Sequence, residues 1–224
     1  MMKKAIILFL LILSFLHVSA QLRTGYATSR FYKGWFVGLN AGQTLFLAEG
    51  NTFNETSVFS LKQNGGYVIR AEIGYNFTPV FSLRGMIAND HYNWPDVRFP
   101  NGLGSYKNVS FTSENITLDA MFDLKRMVNK YNYSQNFKIY AFAGLGVAYR
   151  DKVNFSNDLI SPVLRGGLQA SVKLGSELDL NLIADGNLVS DNFNDFKVTF
   201  PFDLYSSLTL GLTYHIRDMG RNRW

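Results

Sequence analysis

Residues 209–216 read Thr209-Leu210-Gly211-Leu212-Thr213-Tyr214-His215-Ile216. Successive side chains of a β-strand face opposite sides of the sheet. Leu210, Leu212, Tyr214 and Ile216 therefore share one face, and Thr209, Gly211, Thr213 and His215 share the other. One face is wholly apolar and the other small or polar, a period of two and not the 3.6 of a helix.

The same period recurs upstream. The first run sets Trp35, Val37, Leu39, Ala41, Leu45 and Leu47 against Gly38, Asn40, Gly42 and Thr44. The second sets Tyr67, Ile69, Ala71, Ile73, Tyr75 and Phe77 against Val68, Arg70, Glu72, Gly74 and Asn76, and Thr78-Pro79 reverses the chain. A third run places Phe81, Leu83 and Ile87 opposite Ser82, Arg84 and Met86, and a loop of turn residues is expected over 89–106. The fourth opposes Ile116, Leu118, Ala120, Phe122 and Leu124 to Asn115, Thr117, Asp119, Met121 and Asp123.

After a polar stretch over 125–136, the fifth run sets Phe137, Ile139, Ala141, Ala143, Leu145, Val147 and Tyr149 against Lys138, Tyr140, Phe142, Gly144, Gly146 and Ala148. Residues 150–161 read as a loop. The sixth run pairs Leu164, Leu168, Ala170, Val172 and Leu174 with Arg165, Gly167, Gln169, Ser171 and Lys173. In the seventh, Leu178, Leu180, Leu182, Ala184 and Leu188 oppose Asp179, Asn181, Asp185 and Asn187. Residues 190–201 then lead to the last run, making eight strands.

The N-terminus has a different grammar. Lys3 and Lys4 precede a 12-residue apolar run, residues 5–16, and Val18-Ser19-Ala20 offers the small residues that a signal peptidase reads. The expected organisation is a signal peptide over 1–20, a periplasmic lead-in over 21–33, one domain over 34–216 and a short tail over 217–224. An apolar run of that length is too short for a membrane helix, which needs about 20 residues. There is no cysteine, which removes disulfides, thiolate metal sites and a lipidated N-terminus from consideration. The net charge is +5, or +3 without the two leader lysines, with no long basic run, so nothing argues for a nucleic-acid partner. Charged residues make up 17% of the chain against about 25% in soluble domains, and aromatics reach 15%. Something other than water is expected to cover part of the surface.

Charge placement says which face meets that medium. The polar faces carry Arg70, Arg84, Lys138, Arg165 and Lys173 against Glu72, Asp119, Asp123, Asp179 and Asp185, five of each sign. A water-facing exterior would hold more charge, whereas a narrow lumen needs few charges and needs them paired, because an unpaired buried ion is costly. Pairings of the Arg70–Glu72 and Lys173–Asp179 kind are expected. The apolar faces of these runs carry no charge, and aromatics sit at their ends: Trp35, Phe77, Phe81, Phe122, Phe137 and Tyr214 towards one rim, Tyr67 and Tyr149 towards the other. Such girdles mark membrane interfaces. The expected fold is thus all-β: an eight-stranded antiparallel up-and-down transmembrane β-barrel, closed so that no sheet edge is left unsatisfied in lipid.

Several stretches resemble a known family. They are Phe31-Tyr32-Lys33-Gly34-Trp35-Phe36-Val37-Gly38, Gly74-Tyr75-Asn76-Phe77-Thr78-Pro79-Val80-Phe81, Tyr140-Ala141-Phe142-Ala143-Gly144-Leu145-Gly146, and Arg165-Gly166-Gly167-Leu168-Gln169 followed by Leu178-Asp179-Leu180-Asn181-Leu182. In order and spacing these resemble the outer-membrane protein A-like barrels of the porin family. Thr209, Gly211, Tyr214 and Ile216 also resemble the β-signal by which the outer-membrane assembly machinery recognises a client's last strand. The resemblance implies an integral outer-membrane location in a Gram-negative envelope and contact with lipid and lipopolysaccharide. It further implies a structural or anchoring role, sometimes weak pore activity, and external loops that meet an extracellular ligand or host factor. Longer members carry a peptidoglycan-gripping domain after the barrel, and that tethering is not expected from a tail of eight residues.

Catalytic chemistry has little to stand on, and no cofactor or metal is expected. His215 falls on the lumen face at the periplasmic end, where a hydrogen-bonded structural histidine is the simplest reading. His91 neighbours Asp90, and Ser105 or Ser113 could approach from the next strand; a general base would need that nucleophile within hydrogen-bond reach. Asp191, Asp195 and Asp203 could offer oxygens to Ca²⁺, but lack a tight Asp-x-Asp-x-Asp spacing and read better as a hydrated loop. Loop aromatics Phe53, Tyr92, Trp94, Phe193 and Phe196 suit either packing at the barrel mouth or contact with a partner. The reading is a monomeric, side-chain-plugged structural barrel; a narrow channel is the alternative and a lipid-modifying barrel enzyme the distant one.

Overall fold

Eight strands pair in sequence order and the last pairs with the first, closing the sheet. The computed structural model describes residues 33–47, 65–98, 105–128, 136–151, 159–190 and 202–216. The strands are β1 (Gly34–Leu47), β2 (Gly65–Asn76), β3 (Phe81–Arg98), β4 (Ser105–Asp123), β5 (Phe137–Arg150), β6 (Leu159–Lys173), β7 (Leu178–Ser190) and β8 (Phe202–His215). All neighbours are antiparallel, and the seam joins Val37 to Tyr214, Leu39 to Leu212 and Ala41 to Leu210. A slip of one residue there would turn every apolar side chain to the other face, so the period-two pattern fixes the register. The leader, the lead-in up to residue 32 and the tail lie outside the described residues, as do Phe53, Phe193, Phe196, Asp191 and Asp195.

Burial is inverted relative to a water-soluble barrel. Leu39, Leu118 and Leu145 are 68%, 59% and 69% exposed, while Arg84 and Asp119 are 0% exposed. At the rim formed by the turns at residues 77–80 and 174–177, outward rings form a row of T-shaped and tilted contacts. Trp35 meets Tyr75 at 5.2 Å between centroids, Tyr75 meets Phe77 at 4.9 Å, Phe77 meets Phe81 at 5.9 Å, and Phe81 meets Phe122 at 5.3 Å. Phe137 and Tyr214 continue this rim, with Phe137 lying under the Lys125 ammonium at 5.7 Å. Towards the other end, Tyr67 stacks on His91 at 5.0 Å. Nearby, Tyr149 stands beside an outward-facing Glu114, itself opposite Asn89. The charge marks where the apolar belt stops on that side.

Strand ends differ from the sequence expectation. The loop expected over 89–106 is mostly strand: β3 reaches Arg98 and β4 starts at Ser105, the two paired in register. Likewise β6 begins at Leu159, inside the expected 150–161 loop, and carries Pro162 opposite Val147. Polar residues and proline end the apolar pattern without ending the ladder, because each strand's backbone groups are still met by its neighbour's. The stretch over 125–136 contains a short helix, α1 (Leu124–Val128), which starts one residue before the expected polar segment.

If the belt is immersed in hydrocarbon, Leu118→Arg places a charge on the lipid face and destabilises the folded barrel by about 2–4 kcal/mol. Urea titration of protein refolded into vesicles, followed by heat-modifiable gel mobility, measures this. A loss near zero would mean that the surface faces water.

Candidate functional site

The lumen is too narrow to be empty, since an eight-stranded barrel leaves an interior that side chains just fill. Alternation delivers to it one residue in two from every strand, and the central ones are charged. Arg84 on β3 donates from Nη2 to Asp119 Oδ2 on β4 at 2.7 Å, and from Nη1 to Glu72 Oε2 on β2 at 3.2 Å and to Gln169 Oε1 on β6 at 2.7 Å. Arg165 on β6 reaches the same Asp119 oxygen at 2.6 Å with Nη1, and Asp185 Oδ2 on β7 at 3.2 Å with Nε. Arg70 on β2 then donates to Asp185 Oδ1 at 2.7 Å and to Ser207 Oγ at 2.8 Å, and lies 3.7 Å from Asp90 on β3.

The signs alternate along Glu72, Arg84, Asp119, Arg165, Asp185, Arg70 and Asp90, and the chain crosses the lumen twice. Each of these side chains is at most about 1% exposed. Burying seven ions is tolerable because each meets opposite charge and further donors or acceptors. Phe142 lies beside both Arg84 and Arg165, whose guanidinium carbons are 4.7 and 4.8 Å from its ring centre. Its ring faces attract both cations and help hold two like charges on one carboxylate oxygen.

Two glycines make room for these crossings. Gly144 lies between Asp119 and Arg165 in register, and the ion pair passes over it. Gly38 lies between Glu72 and Thr213, which share a 2.8 Å hydrogen bond above it. A Cβ at Gly144 would run into Asp119 and the Leu118 carbonyl, and one at Gly38 into Glu72 and Thr213.

Layers of other character flank the charges. Phe36, Met121, Phe142 and Ile183 form an apolar cluster inside the barrel, with Tyr140 packed on it. At the other end Tyr92 packs on Phe111 and Tyr205, with centroids 4.9 and 5.1 Å apart, and its hydroxyl donates to Asp90. At the mouth beside residues 174–177, Lys138 Nζ and His215 Nε2 lie 2.7 and 2.9 Å from Asp179 Oδ2. Asp179 and His215, with Asn181 and Thr213, border a small chamber that has room for about one water molecule.

Of the charged positions singled out in sequence, Arg70, Glu72, Arg84, Asp119, Arg165 and Asp185 converge, and Lys138 and Asp179 form the separate mouth cluster. The expected pairings are corrected: Arg70 pairs with Asp185 and Asp90, Glu72 with Arg84, and Asp179 with Lys138 and His215. Arg70 and Glu72 are two apart on one strand and reach across the lumen in different directions. Lys173 sits opposite Asp179 in register and is half-buried at the rim. Asp123 is corrected too, since its Oδ1 accepts the backbone N–H of Arg126 at 3.0 Å and so caps α1. Asp90, Tyr92 and the buried Arg150 were missed as lumen residues. The parity of Ser82, Arg84 and Met86 points to Asp90 and Tyr92 once the strand is carried past residue 88.

The histidine site does not assemble. His91 turns outward, its Nδ1 3.2 Å from Thr112 Oγ1, whereas Asp90 and Ser113 are buried on the lumen side.

Closed topology, an apolar exterior and a charge-filled lumen define the class of fold: a small eight-stranded antiparallel β-barrel, the fold that solved outer-membrane barrels share. Neisserial surface protein A is 18% identical with a TM-score of 0.51, the match covering 82% of this chain and 97% of that one. The outer membrane protein OprG from Pseudomonas aeruginosa is 13% identical with a TM-score of 0.51, covering 83% and 98%. At these identities the likeness is one of fold. No protein-family model matches the chain. No curated protein matches it significantly.

Removing the shared carboxylate by Asp119→Ala leaves Arg84 and Arg165 facing each other and destabilises the barrel by about 3–5 kcal/mol. Gly144→Ala costs about 1–3 kcal/mol by overpacking, whereas Gly175→Ala, with open space around its Cβ, leaves stability unchanged. Urea midpoints of the three refolded variants rank them.

Proposed function

We propose that the chain is an integral outer-membrane protein of a Gram-negative envelope, a monomeric barrel that acts as a closed, rigid mount for its external connections. The observation that carries this reading is the alternating ion chain from Glu72 to Asp90, which ties β2, β3, β4, β6 and β7 together through the lumen. Such a lumen gives rigidity at the expense of passage. The belt takes outer-membrane lipid and lipopolysaccharide as its surroundings, and the exposed Tyr214 and neighbouring Ile216 of the closing strand are presented to the assembly machinery after export and cleavage behind Ala20. An extracellular ligand or host factor would be met by the connections at the end away from residues 77–80. The reading includes no catalysis, in keeping with His91 and Asp90 on opposite faces of β3.

A narrow channel is the second reading, favoured by one observation. The Asn40 amide, Arg70 Nε, Asn181 Oδ1 and Thr209 Oγ1 are buried without a hydrogen-bond partner among the described residues. They form a polar seam over β7, β8, β1 and β2 that water could follow.

Planar-bilayer recording of refolded protein separates the two. The mount predicts no discrete conductance steps from inserted wild-type barrel, and steps on cutting the ion chain with Arg84→Ala plus Arg165→Ala. Reproducible wild-type steps would overturn the plugged lumen in favour of the channel.

A further inference from the structure

The helix α1 opens the connection between β4 and β5, at the rim where the chain otherwise reverses in the tight turns over 77–80 and 174–177. Its apolar residues are Leu124, Met127 and Val128, spaced i, i+3 and i+4 and so forming one stripe. They are 38%, 51% and 84% exposed. The stripe follows the outward row of Leu118, Ala120 and Phe122 on β4 and adjoins, at Phe122 and the Pro79 turn, the ring of Trp35, Tyr75, Phe77, Phe81 and Phe122.

The helix is held in this pose by its polar groups. Asp123 caps it, Arg126 Nη1 donates to the Pro79 carbonyl of the neighbouring turn at 2.9 Å, and Lys125 Nζ lies 3.4 Å from the Phe137 carbonyl on β5. Arg126 also lies 3.5 Å from Asp123. Its charge is therefore spent within the protein, whereas the Lys125 ammonium, half-buried over Phe137, has three donors, one of them placed among the described residues. An apolar stripe next to a cation, pinned at the edge of a lipid-facing belt, has the chemistry of an element lying in a membrane interface.

We propose that α1 is an interfacial foot. It seats Leu124, Met127 and Val128 in the leaflet at the tight-turn rim, with Lys125 on the phosphate of an anionic phospholipid. This rests on the reading of the barrel as membrane-spanning, and it assigns the helix a partner that reading does not require. The foot fixes the depth of the barrel and adds a lipid preference on one side only.

The absence of cysteine allows a single label at each chosen site. Val128→Cys, Leu118→Cys and Ser176→Cys, the last in the exposed turn before β7, are each made in the full chain. Each carries an environment-sensitive fluorophore and is refolded into vesicles of phosphatidylcholine with or without phosphatidylglycerol. Quenching by a shallow lipid-borne nitroxide at position 128 is expected to exceed that at 176 by about threefold or more. With Lys125→Gln, the extra quenching that phosphatidylglycerol brings at position 128 disappears. A label at 128 that iodide quenches as freely as at 176, while the label at 118 is lipid-quenched, overturns the foot and leaves the barrel reading intact. A label at 118 that lipid does not quench overturns the barrel reading itself. Unchanged quenching with phosphatidylglycerol, or with Lys125→Gln, overturns the phosphate contact.

Discussion

A backbone in hydrocarbon has no water to bond with, so every N–H and C=O must find its partner within the protein. The β1–β8 seam answers that demand: without it, eight paired strands would still leave two raw edges. Closure in turn sets the strand number, the strand number sets the bore, and the bore decides that the inside is filled by side chains and not by solvent. The apolar belt and the lumen network are two consequences of one closed ladder.

Inside that bore, polarity brings its own constraint. Residues that alternate with lipid-facing leucines cannot all be apolar, or the chain would lose the amphipathic contrast that sets its register. They cannot be charged singly either, because an isolated buried ion is too costly. A chain of alternating signs meets both conditions. Sharing Asp119 between Arg84 and Arg165 and placing Phe142 against both guanidinium groups concentrates several interactions in one layer. Gly38 and Gly144 are the spatial counterpart, thinning the wall where ion pairs and hydrogen bonds must pass over it. The polar seam through Asn40 and Thr209 holds buried polar atoms that this network does not satisfy, and the channel reading belongs there.

Much of the arrangement is legible in the sequence because alternation is a local property. The faces of all eight strands, the inward charges and the outward rings follow from parity once one residue of each strand is placed. Strand ends are less legible. Beyond the belt the strands lose their apolar face but keep their neighbours, so β3 and β4 run on through residues such as Asn93 and Pro95 that mark turns elsewhere. Drawing the boundary too early hid Asp90, the terminal carboxylate of the network. Asp123 has the right parity for the lumen but stands where the chain leaves the sheet, and its carboxylate is nearer to a helix N-terminus than to any lumen arginine.

By itself the sequence determined the class of fold, the strand count and which side of each strand meets lipid, because these depend on hydrophobic contrast between adjacent residues. Only the tertiary structure decided which charge pairs with which. Arg70 with Asp185, Arg84 with Asp119 and Arg165 with both carboxylates are contacts across or around a closed lumen. They are set by stagger between strands far apart in the chain and by the reach of a guanidinium. The placing of α1 on the outer rim was decided in the same way, by Asp123, by Arg126 and by a carbonyl on a turn 47 residues away.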